Sequence, residues 1–385
     1  MTEQIHRNIY TSDELQEIYE QTVTFVAKEV APHGDAWEVD GTVPRDTLRK
    51  MGELGMLSLR VPPEYGGLGM GMLASATFSE ALGSSTYGGF DATVLVHTDM
   101  AGPHLVNSGS PEQIEQWMPG VLAGETILAI GVTEPDAGSD VAGIRTTATK
   151  DGDGWRINGT KMFITNGVHA DLTIVAARTD PENKYGITMF LVPAGTEGFS
   201  VGSKLSKHGW LCSDTAELVL DDVWVPDASI LGTLHRGFYE TMKNFQNERM
   251  VLVGMGVGAA QAAIDLTSEY VQHRPAFGGR LADLGAIRQR MAMNQAKLDA
   301  VRASMYHTAW LGDNGIDNVR DMSGVKAWGC EVVNEVMYDC LQFHGGTGYI
   351  RGSTIERMAR DARVLTIGGG ATEVMLEEVA KRLLQ

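Results

Sequence analysis

The turn Val132-Thr133-Glu134-Pro135-Asp136-Ala137-Gly138-Ser139-Asp140 follows a short apolar run, Ile127-Leu128-Ala129-Ile130, that reads as a buried strand. Pro135 and Gly138 reverse the chain sharply, which exposes backbone N–H groups and the hydroxyls of Thr133 and Ser139. A polar, glycine-containing turn at a strand end suits an extended anionic or heterocyclic ligand. The same residues also serve a turn that only reverses direction, and by themselves they leave both readings open. Three other groups share that ambiguity. Phe163 and Ile164 fit a plain buried strand, although polar Thr165 and Asn166 follow them. Arg274 stands at a predicted helix end, where a cation answers the helix dipole. Glu248, next to Arg249 within a long helical pattern, reads as an exposed helix residue, because ionised Glu is rarely buried.

The elements that would position these residues fall into three blocks. Thr11-Ser12-Asp13-Glu14 has the form of a capping box, and Leu15, Ile18, Tyr19, Thr22, Val23 and Val26 follow at helical spacing until Pro32. Further helical patterns cover residues 45–54, 72–82, 92–106 and 111–122, separated by Pro/Gly turns such as Pro62-Pro63-Glu64-Tyr65-Gly66-Gly67. After Gly124 short β-rich runs take over, at residues 154–159, 173–177, 189–192 and 218–220, the pattern of an antiparallel sheet or small barrel. Long helices return at about 237–273, 283–312 and 318–343, with a short one after Ala371. Helices, strands and helices again predict a β domain inserted between two helical ones: residues 1–125, 126–234 and 235–385.

Composition narrows the function classes. The chain of 385 residues carries 31 basic and 49 acidic side chains, net −18, which argues against nucleic acid or an anionic membrane as partner. A phosphate-bearing ligand must then be held by local cations and backbone amides. Cys212, Cys330 and Cys340 have no metal spacing and read as reduced thiols of a cytoplasmic protein. The opening residues 1–7 lack the flank and apolar core of a signal peptide, and the apolar run 251–264 is too short to span a bilayer. The 19 Met residues read as core filler.

Taken in order, the motifs resemble the acyl-CoA dehydrogenase family of FAD flavoproteins over nearly the whole chain. The turn at 132–140 resembles that family's signature, and Lys161-Met162-Phe163-Ile164-Thr165-Asn166-Gly167 its second. Arg274-Pro275-Ala276-Phe277-Gly278, Gln342-Phe343-His344-Gly345-Gly346 and Arg360-Asp361-Ala362-Arg363 resemble three more. The resemblance implies an α+β fold: an N-terminal helical domain, a middle antiparallel β domain and a C-terminal four-helix bundle, with FAD in the cleft between them. It implies that Thr133 meets the pyrimidine side of the isoalloxazine, that Thr165 faces its N5/O4 edge, and that Phe163 stacks nearby in place of the common Trp. Ser139 would support the cofactor phosphate and the thioester end of the substrate. Arg274 and Phe277, with Gln342 to Gly346, would bind the FAD pyrophosphate across a subunit boundary, in a homotetramer built as a dimer of dimers. A planar guanidinium matches two phosphate oxygens, and Gly345 and Gly346 let backbone approach them.

One departure from the family pattern is decisive. Many members carry the catalytic Glu inside an aromatic-Glu-Gly-Thr sequence near the C-terminus; here Ile367-Gly368-Gly369-Gly370-Ala371-Thr372-Glu373 puts Gly369 there. A smaller group, which includes the isovaleryl and long-chain enzymes, places the base on the first long helix of the C-terminal domain, immediately before an Arg. Glu248 and Arg249 match that position, and glycine at 369 leaves room for the carboxylate. The resemblance then implies α-proton abstraction from an acyl-CoA thioester by Glu248, with Arg249 and the backbone at Gly369 on the substrate side. The β-hydrogen leaves as hydride to flavin N5, giving a 2,3-enoyl-CoA, and an electron-transfer flavoprotein takes the electrons. Glu373 stands where the family often has a polar cofactor contact or a helix N-terminal acid, and His97 and His104 read as packing or hydrogen-bonding residues. Leu211 and Gly285 replace an Arg and a Gln common in the family. The competing readings are an oxidase, monooxygenase or desulfinase-like flavoprotein of the same fold, and a colourless helical adaptor.

Overall fold

The computed structural model describes residues 9–384; the opening residues 1–7 discussed above lie outside that range. The N-terminal helices are α1 (Asp13–Phe25), α2 (Gly34–Asp40), α3 (Arg45–Glu53), α4 (Met72–Gly83), α5 (Gly88–Leu95), α6 (Gly102–Ser108) and α7 (Pro111–Leu122). Ser12 caps α1 by accepting from the N–H of Leu15 at 3.3 Å. Residues 92–106, expected as one helix, are instead divided among α5, a π-turn at Val96–Ala101 and α6. Pro103 is the physical reason: it has no N–H for the carbonyl of Asp99, so the regular α-helical ladder cannot run through it.

The middle domain holds β1 (Leu128–Gly131), β2 (Thr147–Asp151), β3 (Gly154–Thr165), β4 (Leu172–Arg178), β5 (Ile187–Pro193), β6 (Phe199–Lys204), β7 (Thr215–Pro226) and β8 (Ile230–Leu231). They form one sheet in the order β6-β7-β3-β2-β4-β5-β8. Two pairings depart from the antiparallel pattern: β1 runs parallel to β4, and β2 meets β4 in parallel at Thr147 and Arg178. β1 arrives directly from α7, so it joins the sheet from the helical domain rather than through a hairpin. β2 and β6 escaped the sequence reading because charged and small residues fill them, and most of their side chains face solvent.

The C-terminal domain contains α8 (Gly237–His273), α9 (Gly285–Asp313), α10 (Val319–His344), α11 (Gly346–Tyr349), α12 (Thr354–Ala362) and α13 (Thr372–Leu383). By length and composition α8 could cross a membrane, contrary to the expectation from residues 251–264 alone, but 72% of its apolar window is buried inside this fold. Its apolar character serves the core, where Val253 and Val257 share one cluster with Phe78 and Leu82 of α4. The two helices touch at glycines: a Cβ on Gly258 would lie 1.9 Å from the carbonyl oxygen of Glu80. That contact fixes α8 against the N-terminal domain without intervening side chains. A buried carboxylate ties α4 to α9 as well, with Glu80 accepting from Arg302 Nε at 2.7 Å and from the Tyr306 hydroxyl at 2.8 Å.

Candidate active site

The turn after β1 is built around a buried ion pair. Glu134 accepts from Lys161 Nζ at 2.6 Å, from the Arg145 N–H at 2.5 Å and from the Thr146 N–H at 3.0 Å. Both side chains of the pair are buried. Burial pulls the Lys161 ammonium down to about 8, against the pull of Glu134. Burial alone would raise Glu134, but the Lys161 charge and three donors hold it below the usual carboxylate range. The pair locks the loop to β3, and the Met162 N–H donates to the Thr133 carbonyl at 2.9 Å. Thr133 therefore sits beside the second motif, while Ser139 remains exposed. Neither Glu134 nor Lys161 stood out in the sequence as a site residue; a lone Lys opening an otherwise apolar Met-Phe-Ile run was the available signal.

In that second motif a β-bulge between Lys161 and Ile164 separates two neighbours that the sequence pattern groups together. Ile164 is buried at 2%, whereas Phe163 adopts φ 62° and presents 66% of its surface. A left-handed aromatic residue turned outward from a strand is costly unless something covers it. Thr165 is partly exposed beside it, and Asn166 is buried, donating to the carbonyls of Thr93 at 3.0 Å and Leu128 at 3.2 Å. An exposed aromatic face with hydroxyls at Thr133 and Thr165 fits a flat heterocycle such as the isoalloxazine. The residues present therefore fit FAD. A separate open groove runs alongside the 366–372 loop, lined in part by Tyr338, Leu341, Ile367 and Thr372.

Glu248 lies on α8 with its carboxyl set among protein atoms and only partly reached by solvent. Burial raises it from the ordinary 4.5 to about 7, opposed by a hydrogen bond from Asn244 Nδ2 at 3.3 Å and by the charge of Arg249. The reading as an exposed helix residue is thus overturned. One turn further along, Leu252 rather than the Glu248 carboxylate takes the room that glycine at 369 was expected to leave: a Cβ there would lie 2.2 Å from Leu252 Cδ1, and no Glu248 atom comes within 4 Å of it. Gly369 has φ +61°, a conformation in which any other residue would also be strained. Arg249 is buried, its Nε has no hydrogen-bond partner in the fold, and its guanidinium lies 5.6 Å from the Phe245 ring. A buried unpaired N–H beside a carboxyl is a place for a ligand oxygen.

Lys326 is a further residue that the sequence did not disclose. It is fully buried on α10 and donates to the carbonyls of Leu365, at 2.8 Å, and Gly370, so it brackets the Gly369 loop from behind. Burial lowers its ammonium from the usual lysine value. Its signal was a cation on the apolar stripe of α10 formed by Met322, Cys330, Val333 and Met337. His97 takes the role expected of it. It accepts from the Leu128 N–H at 3.2 Å and donates to the Val121 carbonyl at 3.0 Å, and burial holds it neutral with a value near 4. His97 thereby ties the π-turn to β1 on one side while α8 packs on the other. His104 is buried, pushed down to about 4, and its Nε2 lacks a partner. Glu373 is exposed in the first turn of α13.

The remaining expected residues gather elsewhere. Arg274 is the C-cap of α8, and Gln342, Gly345 and Gly346 close α10 nearby. The two ends are joined by Tyr270 and His344, whose rings stack at 4.2 Å, and by the Tyr270 hydroxyl donating to the His344 carbonyl at 3.3 Å. Phe277 projects from the following hairpin with 93% of its surface exposed. Nothing within 4 Å would meet a Cβ on Gly345 or Gly346, so a ligand can approach that backbone closely. This cluster is far from Glu248: 26 residues of one helix separate them, roughly 39 Å along its axis. A third feature, unforeseen, lies at the start of α8, where Lys184 covers the Tyr185 ring at 4.6 Å and Arg236 covers Tyr239 at 4.3 Å. Tyr185 also packs on Phe238 at 4.7 Å, and the Lys184 charge feels Asp140 of the opening turn.

Comparison with known proteins covers the chain nearly from end to end. The family described as acyl-CoA dehydrogenase matches residues 12–125 with its N-terminal domain, 129–223 with its middle domain and 235–384 with its C-terminal domain. Long-chain specific acyl-CoA dehydrogenase of Rattus norvegicus is 37% identical over 384 residues, covering 98% of this chain and 88% of its own. Isovaleryl-CoA dehydrogenase of Pongo abelii is 36% identical over 371 residues, covering 94% and 87%. A glutaryl-CoA dehydrogenase from Mycobacterium smegmatis, solved in complex with FADH2, superposes with a TM-score of 0.92 at 29% identity, over 97% of this chain and 95% of that one.

Proposed function

The chain belongs to the acyl-CoA dehydrogenase family, and from that premise we propose that Glu248 is the base that removes the α-proton of its substrate. The reaction is FAD-dependent dehydrogenation of an acyl-CoA thioester to the 2,3-enoyl-CoA. FAD, when bound, supplies the acceptor for the β-hydrogen and its electron pair. The observation that carries the assignment of the base is the setting of Glu248 on α8: its carboxyl is largely enclosed, accepts from Asn244 Nδ2 at 3.3 Å and stands next to buried Arg249, whose Nε has no partner in the fold. A carboxylate whose pKa lies near 7 is a stronger base than an exposed one and still carries its charge in a substantial fraction of molecules at neutral pH.

The rest of the chain orients and polarises the thioester. A hydrogen α to a thioester carbonyl is weakly acidic, so the oxygen that gains charge must receive hydrogen bonds as the proton leaves. The backbone N–H groups of the Gly369 loop, held in place by Lys326, are suited to that role, and the buried Arg249 adds positive potential. The cation-covered aromatic patch of Lys184, Tyr185, Arg236 and Tyr239 lies at the start of α8, with Lys184 within the electrostatic reach of Asp140, and supports docking of the nucleotide end of CoA. Such local cations answer the need raised by a net charge of −18.

Thr133, Phe163 and Thr165 form the proposed flavin wall, with Ser139 at the thioester and phosphate end. Arg274, Phe277, Gln342 and Gly346 are assigned to the FAD pyrophosphate of a second copy of the chain. Their separation from Glu248, roughly 39 Å along α8, supports an assembly in which each site borrows this cluster from a neighbour, and we take it to be a homotetramer. The buried thiols of Cys212, Cys330 and Cys340 suit a reducing cytoplasm, and an electron-transfer flavoprotein is the proposed acceptor. Anaerobic titration with a panel of acyl-CoAs tests the reading. Cognate thioester bleaches the flavin of the wild type, whereas Glu248→Gln binds the thioester and leaves the flavin oxidised; normal bleaching by that variant removes Glu248 as the base.

A further inference from the structure

We propose that Asn244 is a positioning residue for Glu248, seated by the π-turn Val96–Ala101 and holding the carboxylate through its side-chain amide. The proposal rests on the reading of Glu248 as base and adds the device that aims it. Its origin is Pro103. In a continuous α-helix the N–H of residue 103 would bond the carbonyl of Asp99, and proline has none to give. Pro103 thus frees the Asp99 carbonyl, and in the π-turn that carbonyl and the next one, of Met100, both accept from asparagines of α8. Asn247 Nδ2 donates to the Asp99 carbonyl at 2.9 Å, and Asn244 Nδ2 donates to the Met100 carbonyl at 2.9 Å. The same Asn244 nitrogen lies 3.3 Å from Glu248 Oε1 and 3.4 Å from the Asp99 carbonyl.

Backbone carbonyls only accept, so they fix which end of the Asn244 amide faces them, and the nitrogen therefore also faces Glu248. The carboxylate thus meets a donor that cannot turn away without abandoning the π-turn. A donor favours the ionised form, so Asn244 sets both the direction of the base and how far burial can suppress its charge. The charged groups around it are few. Arg249 is its neighbour on α8, influenced in turn by Glu378 and Arg382 of α13 and by Lys326 of α10. From the π-turn, the Asp99 carboxylate is occupied by Ser75 at 2.7 Å, Thr98 at 2.7 Å and Asn247 at 3.1 Å. Arg60, from the loop after α3, donates to the Asn247 side-chain oxygen.

The test compares three variants of the FAD-loaded protein by the pH dependence of anaerobic flavin reduction: Asn244→Leu, Asn247→Leu and Glu248→Gln. Asn244→Leu keeps the volume and removes the donor, so the acid limb of the rate profile moves to higher pH by about one unit, the scale of a hydrogen bond to a charged acceptor. Asn247→Leu breaks the neighbouring bond to the same π-turn without touching Glu248; it lowers thermal stability and leaves the limb in place. Equal shifts in both asparagine variants, or no shift in Asn244→Leu, overturn the positioning role. Full flavin reduction by Glu248→Gln overturns the base itself, a separate outcome. Should Asn244→Leu fold poorly, Asn244→Ala is read in the same way, and the pH midpoint of its melting-temperature curve must rise with the limb.

Discussion

Replacing Glu248 by Gln is expected to abolish catalysis and, above neutral pH, to stabilise the protein. The carboxyl is held at about 7 in the fold against an ordinary 4.5, chiefly by burial, and this value already includes the attraction of Arg249. Because the folded pKa is raised, the folded state binds the proton more tightly than the unfolded chain does. Wild-type stability therefore falls as pH rises from about 4.5 to about 7, and is level beyond. At about 1.4 kcal/mol per pH unit the full cost is about 3 kcal/mol, and partial solvent contact reduces it to about 2 kcal/mol. Gln cannot ionise and escapes this cost. The melting-temperature difference between variant and wild type should be near zero at pH 4.5 and grow to about 2–5 °C at pH 8. The variant should also lose about a thousandfold or more in flavin reduction, the scale of a removed general base. Melting curves of the holoprotein from pH 4.5 to 9, paired with anaerobic bleaching, measure both. A difference in melting temperature that does not change with pH would refute the argument from burial, whatever happens to activity.

Three further substitutions test the supports of the site. Gly369→Ala should lose about 2–3 kcal/mol, from a left-handed residue and a displaced Leu252 rotamer, and slow flavin reduction as the loop shifts; urea unfolding with stopped-flow absorbance checks both. Lys161→Met leaves Glu134 buried without its cation and should cost about 3–5 kcal/mol, seen as a lower melting temperature and faster proteolysis within residues 132–140. Arg274→Gln should weaken FAD retention about tenfold or more, the scale of a charged hydrogen bond to phosphate, measured as flavin absorbance per protein after gel filtration; unchanged retention removes Arg274 from the pyrophosphate site.

Much of the fold was legible because long helices advertise their period. The span predicted for α8 coincides with the observed one, Gly237–His273, and α9 and α10 differ from expectation by one or two residues at their ends. The π-turn was not legible, since its apolar pattern matches a helix and only Pro103 announced a break. Within the site the motifs single out Thr133, Phe163 and Thr165, yet not the contacts that hold them. Glu134 and Lys161 hold the turn through a pairing across 27 positions, and no local spacing encodes a contact of that kind. Lys326 is hidden for the same reason, because its partners are backbone carbonyls about 40 positions away that any residue could supply. Asn244 and Asn247 looked like ordinary polar residues of a helix face until the carbonyls opposite them were known.

The arrangement of α8 explains why one helix must be both so apolar and so tightly fixed. Its N-terminal third carries Glu248 and the asparagines that meet the π-turn, its middle is the glycine contact with α4, and its end carries Arg274. A displacement of α8 along its axis would move the base relative to the 369 loop and, by the same distance, move Arg274 relative to the FAD it is assigned to in the neighbouring subunit. Glycine contact at Gly258 resists such sliding better than packed side chains would, because backbone atoms have no rotamers through which to yield. Burial of the α8 middle therefore does more than stabilise the bundle. It keeps Glu248 and Arg274, at opposite ends of one helix, in a fixed relation, and this makes a bulky residue at Gly258 a lesion of both.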